Sequence, residues 1–459
     1  MRPTSTRSAG RGGTDHVVGR RTRVHSVDLI RVSLFTLVLM VHATGSINWD
    51  ADHVRGMQFF TMMVHCARYG FVFVTGFVLF LAYYRSPITA PAFWRRRYGF
   101  VAAPYLAWSV IYVITGYVFV RAPWPDTGAV FGDIGTAILQ GNAQYQMYFL
   151  LISMQIYLLF PLVRMLLRRT EGHHGKVMAG AVAVQAGVFV LFSFYHPELD
   201  WYGHMWKALP TYALFLVGGA LAAVHYERFA PWVRRNRRWL VPLSIAGAVF
   251  TIVLFFATTG GGNIPGLAYA AWSVQNLPWY LAAVALFFIV AQAWDDRRGD
   301  GTGWGARLVD YGAVRAFGIF AVHPLVIDLI HESGFVDWLY ATYPDTTLQR
   351  SVLLVLVTLV ASLCLVELIL YTPLARVLVA HDRIRPRRTS AAATAADAST
   401  ADDSTADDDT VAPTAGPADA VPDSRAAALP VPAPVVPAPL DPELDGAGAA
   451  PARAGAAAR

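Results

Sequence analysis

The first apolar stretch of the chain carries two side chains whose types and spacing suit a reaction. It reads Val27-Asp28-Leu29-Ile30-Arg31, continues for ten residues, and reaches His42. On a helix, that eleven-residue step is roughly 16 Å of rise at about 1.5 Å per residue. An arginine at one end can hold phosphates through paired, charge-assisted bonds. A histidine farther along can take the proton of a hydroxyl, because its pKa lies near neutrality. The separation is comparable to the pantetheine arm of coenzyme A. Plainer roles fit the same residues. Arg31 also reads as an anchor paired with Asp28 three positions earlier, and His42 as a hydrogen-bonding contact between helices.

Other ionisable residues stand inside or beside apolar stretches, where charge is costly and usually functional. His65 and Arg68 share a helix face at spacing three and sit toward the outer end of their stretch. They fit either the entrance to an acceptor cavity or an ordinary interfacial position. His323 precedes Pro324, which removes a backbone donor and favours a kink, so it reads as a cavity or a structural residue. Asp328, His331 and Glu332 follow at the outer end of that span, within reach of headgroups. His173-His174 is too short a tract for a metal site. Cys66 and Cys364 lie singly in apolar runs, giving neither a disulfide framework nor a zinc-binding pattern. No resident metal or cofactor is expected.

The elements that hold these residues follow from composition. Of 459 residues, 55% are hydrophobic and 15% charged, against roughly a quarter charged in soluble domains. The net charge of +6 does not form a nucleic-acid-binding patch, because the arginines fall in short clusters between apolar runs. Runs near the 20 residues needed to cross a bilayer occur at 28–47, 58–84, 99–120, 147–166, 177–195, 207–225, 239–258, 277–294, 313–332 and 351–374. One set of alternate loops holds Arg20, Arg21, Arg23, Arg95 to Arg97, Arg168, Arg169, Arg234, Arg235, Arg297, Arg298 and Arg383. The other set offers only Arg55, Arg121 and Arg350, among Asp50, Asp52, Asp126, Asp133, Glu198 and Asp200.

The positive-inside rule then puts both termini in the cytoplasm of a multi-pass protein of the plasma membrane. The fold expected is an all-α polytopic membrane bundle of about ten transmembrane helices. It comprises a basic segment 1–26, a membrane domain 27–376 and an Ala/Asp/Pro-rich tail 389–459. The tail buries too little surface to offset its ordering entropy and is expected to be disordered.

Five short motifs occur in order along the membrane domain. Val27–Arg31 with His42-Ala43 is followed by Phe71-Val72-Phe73-Val74-Thr75-Gly76-Phe77. Then come Phe93-Trp94-Arg95-Arg96-Arg97 with Pro104-Tyr105 and Trp108, and Tyr148-Phe149-Leu150 with Gln155, Tyr157 and Pro161. Gly318-Ile319-Phe320 with His323-Pro324 closes the series. Together they resemble the acyltransferase-3 family of membrane acyltransferases, over about Val27 to Leu374. Four positions depart from the family pattern: Val101 stands where a further arginine is common, Val72 replaces a phenylalanine, Thr75 replaces a serine but keeps the hydroxyl, and Tyr148 replaces a tryptophan.

The resemblance implies an enzyme that moves an acyl group, expected to be acetyl, from cytoplasmic acyl-CoA to a hydroxylated acceptor. That acceptor is a sugar, peptidoglycan, an antibiotic or a lipid headgroup. The resemblance implies that His42 and Arg31 form the catalytic pair and that Arg95, Arg96 and Arg97 face acyl-CoA, the co-substrate. His65, Arg68 and His323 remain candidates for the substrate cavity. The competing reading is a transporter or flippase for a lipid-linked sugar, with His42 and His323 relaying protons.

Overall fold

A computed structural model describes residues 24–49, 53–120, 124–195, 202–260, 263–299 and 301–384. The basic segment before Val24 and the tail from 389 lie outside the described residues. Among the described residues every element is helical, apart from one isolated bridge between Gly260 and Asn263. The chain is therefore an all-α polytopic bundle.

The long helices are α1 (His25–Gly45), α2 (Val54–Val64) running into α3 (Cys66–Tyr83), α4 (Ala90–Val120), α6 (Met147–Arg169) and α7 (His174–Phe194). They continue with α9 (Tyr226–Thr258), α11 (Leu277–Arg297), α12 (Trp304–Glu332) and α14 (Thr347–Leu370). Between them lie α5 (Thr127–Gln140), α8 (Ala213–Val224), α10 (Gly266–Tyr269), α13 (Phe335–Thr342) and α15 (Ala375–Leu378). We call the side of the bundle where α1 begins the near face and the side where it ends the far face.

Nine spans among the described residues are long and apolar enough to cross a bilayer. The stretch expected at 207–225 becomes a shorter apolar helical segment, Leu209–Val224, entered through a 3-10 turn that contains Pro210. Proline lacks an N–H and suits that first turn. The long second span is bent at His65 into α2 and α3. Helices α4, α9 and α12 begin well before their apolar stretches, at Ala90, Tyr226 and Trp304. Arginine is a good helix former, so the basic entries extend the helix.

In lipid no hydrophobic force draws two helices together, so close association depends on small residues that let backbones approach. Helices α3 and α8 meet in this way. A Cβ on Gly76 would lie 2.5 Å from the Leu216 carbonyl oxygen, and one on Gly219 would lie 2.0 Å from that of Phe73. Any side chain there would push the pair apart. The Thr75-Gly76-Phe77 motif thus earns its place through packing.

The end of α1 is held by a buried cation. Arg350, at the start of α14, donates through Nε to Asn48 Oδ1 at 3.0 Å and through Nη1 to the Tyr343 carbonyl at 2.8 Å. Its guanidinium also lies 4.4 Å from the Tyr340 ring. Asn48 adopts a left-handed conformation, φ 65°, and its backbone N–H donates to the Tyr340 hydroxyl at 2.9 Å. These bonds fix α1 against α14 just beyond His42.

Candidate active site

Helix α12 presents His323 to α1, and the proline beside it sets how. Pro324 has no N–H, so the Phe320 carbonyl four residues back loses its helical donor. His323 Nδ1 lies 2.9 Å from that oxygen and 3.1 Å from the Ile319 carbonyl oxygen. Carbonyls only accept, so Nδ1 carries the proton and Nε2 is left as an acceptor. His323 Nε2 faces His42 Nδ1 at 3.4 Å, a long contact of the kind that often tightens when a substrate binds. An acceptor at His323 requires the donor at His42 Nδ1. The remaining nitrogen, His42 Nε2, therefore keeps its lone pair, and it is buried without a hydrogen-bond partner among the described residues.

Tyr145, in the connection between α5 and α6, packs edge-on against His42 with ring centroids 4.2 Å apart. Burial, and then the Asp328 carboxylate, push the Tyr145 phenol well above its usual range, so it stays neutral. His42 lines a cavity of about 370 Å3 that reaches Gly45, Ser46 and Trp49 at the end of α1. This hollow approaches the histidine from the far-face end of the helix.

Toward the near face the same helix meets packed side chains. Phe35 lies edge-on to Phe71 at 5.1 Å and to Phe320 at 6.2 Å, and Phe71 meets Phe149 at 6.1 Å. Beyond these rings sits Arg31, buried, with Nη1 3.8 Å from Asp28 Oδ1. Eleven residues rotate a helix by about three full turns, so Arg31 and His42 share one side of α1 roughly 16 Å apart.

The Arg95–Arg97 cluster divides. Arg95 and Arg96 are exposed, whereas Arg97 is buried over the Tyr83 ring at 4.9 Å. Successive helical residues point about 100° apart, so one face cannot take all three. The inward face of α4 runs Phe93, Arg97, Val101, Tyr105, Trp108 and Tyr112. Val101, where the family often has an arginine, is buried one turn beyond Arg97. Tyr157 on α6 feels the charge of both Arg97 and Arg31, which brings these two cations into one neighbourhood.

The remaining sequence candidates converge on the cavity. His65 and Arg68 both line it, as do Asp328 and His331, so the latter two do more than meet headgroups. His331 Nε2 lies 3.0 Å from the Ser46 hydroxyl. Gln58, Thr61, His65 and Arg68 form one polar stripe at steps of three, four and three, a spacing visible in the sequence. Tyr145 sits in a connection and had no periodic signal to mark it. Trp206 and Trp272 also line the cavity from irregular segments. At the near face His25, Asp28 and Asp310 bring ligand atoms within 4.8 Å of one another. Arg298 ion-pairs with Asp310 there at 2.7 Å, so a cation already meets that charge.

A buried histidine pair beside a cavity, with buried cations roughly 16 Å away along α1, forms the candidate site. The protein-family model described as an acyltransferase domain matches residues 24–369, and the chain belongs to the acyltransferase-3 family. No curated protein and no solved structure matches it. The chain is a membrane acyltransferase.

Proposed function

We propose that the protein transfers an acyl group, acetyl in the first instance, from acyl-CoA to a hydroxyl of a carbohydrate or related acceptor held in the His42 cavity. The observation that carries this reading is that His42 lines the cavity while its Nδ1 faces His323, which leaves Nε2 as the basic nitrogen available to an acceptor. His42 Nε2 accepts the proton of the acceptor hydroxyl as its oxygen attacks the thioester carbon. The C–O bond forms, the C–S bond breaks, and the proton passes from His42 to the departing CoA thiolate. Imidazolium formed on His42 is stabilised through Nδ1–H by the His323 lone pair, much as a triad's third member holds its base.

Acyl-CoA comes from the near face, where Arg31 and Arg97 hold its phosphates. The positive-inside pattern supports a cytoplasmic near face, in keeping with a plasma-membrane protein. The thioester then reaches His42 only when Phe35, Phe71 and Phe320 move aside. Arg95 and Arg96, being exposed, attract the donor from solution without gripping it. Family membership favours this enzyme over the transporter reading.

Incubation of the purified protein with radiolabelled acetyl-CoA and a panel of sugars, followed by product analysis, tests the proposal. Wild-type protein gives a labelled O-acetyl sugar and His42→Ala gives none above background. A well-folded His42→Ala protein with full transfer overturns it.

A further inference from the structure

The cavity beyond His42 contains a cation that the acyl transfer just described does not use. Arg68 is 4% exposed and lines the hollow. Among the described residues no carboxylate pairs with it, and its Nε has no hydrogen-bond partner. Its surroundings are aromatic: Tyr69, Tyr148, Tyr212 and Tyr280 are all buried around it, with the guanidinium 5.9 Å from the Tyr148 ring. Ring faces and phenol dipoles soften a cation but do not neutralise it. A guanidinium does not lose its proton in a protein, so burial cannot discharge it. An uncompensated buried charge is costly, and it is retained where a ligand supplies the opposite charge.

The groups beside Arg68 describe the rest of that ligand. His65 Nδ1 is buried and, among the described residues, equally without a hydrogen-bond partner. Gln58 and Thr61 continue the polar stripe along the wall. Trp206 and Trp272 line the same cavity with rings 25° from parallel and centroids 5.9 Å apart, apolar surfaces suited to the C–H faces of a sugar ring. Asp328 and His331 line the same cavity from α12. Asp328 thus brings a carboxylate to the same hollow but forms no ion pair with Arg68 among the described residues.

We propose that the acceptor is an anionic sugar whose carboxylate or phosphate is held by Arg68, with His65 beside it, while a hydroxyl faces His42. This deepens the function proposed above and rests on it for the identity of the reacting hydroxyl. Bidentate binding by a planar guanidinium selects carboxylates and phosphates over neutral hydroxyls. Arg68 is here a binding residue. Were it instead only a stabiliser of the reaction's oxyanion, it would serve neutral and anionic sugars alike.

Cavity tryptophan fluorescence of the purified full chain in detergent, titrated with sugars, separates these cases without requiring turnover. The probes are glucose, glucuronate and glucose 6-phosphate, with phosphatidylglycerol in mixed micelles to represent a lipid-borne phosphate. At least one anionic probe is expected to bind ten-fold or more tightly than glucose. Arg68→Gln is expected to erase that preference, and Arg68→Lys to keep part of it. His42→Ala should bind the anion as wild type does, so a failure of the acyl-transfer reading appears in the product assay and not here. Response to phosphatidylglycerol alone assigns the anion to a lipid headgroup and overturns the sugar. Equal binding of glucose and the anions, an unchanged preference in Arg68→Gln, or no saturable response to any probe overturns the proposal.

Discussion

The two ends of the first helix are built in opposite ways. Around His42 the protein leaves a hollow of about 370 Å3 lined by histidines, tryptophans and a polar stripe. Around Arg31 it packs rings and buries its cations among Asp28, Tyr157 and Tyr83. Both ends hold ionisable groups inside a membrane bundle, and the His42 end has a cavity of about 370 Å3 at them. On the function proposed above, the difference means that the acceptor half is preformed, whereas the donor half opens as acyl-CoA enters between packed rings. An enzyme with both halves open would let its donor meet water through the membrane. The stack of Phe35, Phe71 and Phe320 between them is placed to prevent that.

The contrast can be broken from either end. The largest effect is expected at His42. Removing a general base typically costs 10²–10⁴-fold, so His42→Ala should lower acetyl transfer by roughly that factor while leaving acetyl-CoA affinity unchanged. Isothermal titration with a non-hydrolysable acetyl-CoA analogue checks the second half of that statement. Next comes His323→Leu, which keeps the volume but cannot accept from His42 Nδ1. We expect a loss in turnover on the order of 10², as for a base that loses its orienting partner. His323→Gln, which offers an acceptor oxygen, should recover part of it.

At the near face, effects should fall on binding. A hydrogen bond to a charged group is worth about 1.5–3 kcal/mol, so Arg97→Gln should raise the KM for acetyl-CoA by roughly 10- to 100-fold with turnover little changed. The smallest effect is expected for Arg95→Gln with Arg96→Gln. Exposed charges are screened by salt, so KM should shift about two-fold at low ionic strength and not at all in high salt. Equal effects at Arg95, Arg96 and Arg97 would erase the inward and outward distinction on α4.

Much of this was legible in the sequence, and the exceptions have physical causes. Apolar length and loop charge gave the bundle, because both are imposed by the bilayer. The His42 and Arg31 spacing on a single helix needs no tertiary information, and the structure keeps both on one side of α1. The short segment Leu209–Val224 was harder to read: its apolar run looks like a full span, and only Pro210 hints that the helix starts late. The arginine triplet could have been divided from sequence alone, since Phe93, Arg97 and Val101 repeat at intervals of four. The pairing of His42 with His323 could not, for it joins residues 281 positions apart. Tyr145 gave no signal either, being set by a connection whose path depends on how α5 packs against α4. His65 and Arg68 were visible as neighbours, yet nothing local showed that four tyrosines from α3, α6, α11 and the turn before α8 would surround the arginine.

Histidine tautomers decide the matter most directly. Solid-state ¹⁵N NMR of histidine-labelled protein in lipid, with His42→Ala and His323→Ala used to assign signals by difference, reads which ring nitrogen bears the proton. The account predicts that both histidines carry it on Nδ1 at neutral pH, with His42 Nε2 bare and turned to the cavity. A proton found on His42 Nε2, with Nδ1 bare, would leave no base facing the acceptor and would contradict the mechanism at its centre.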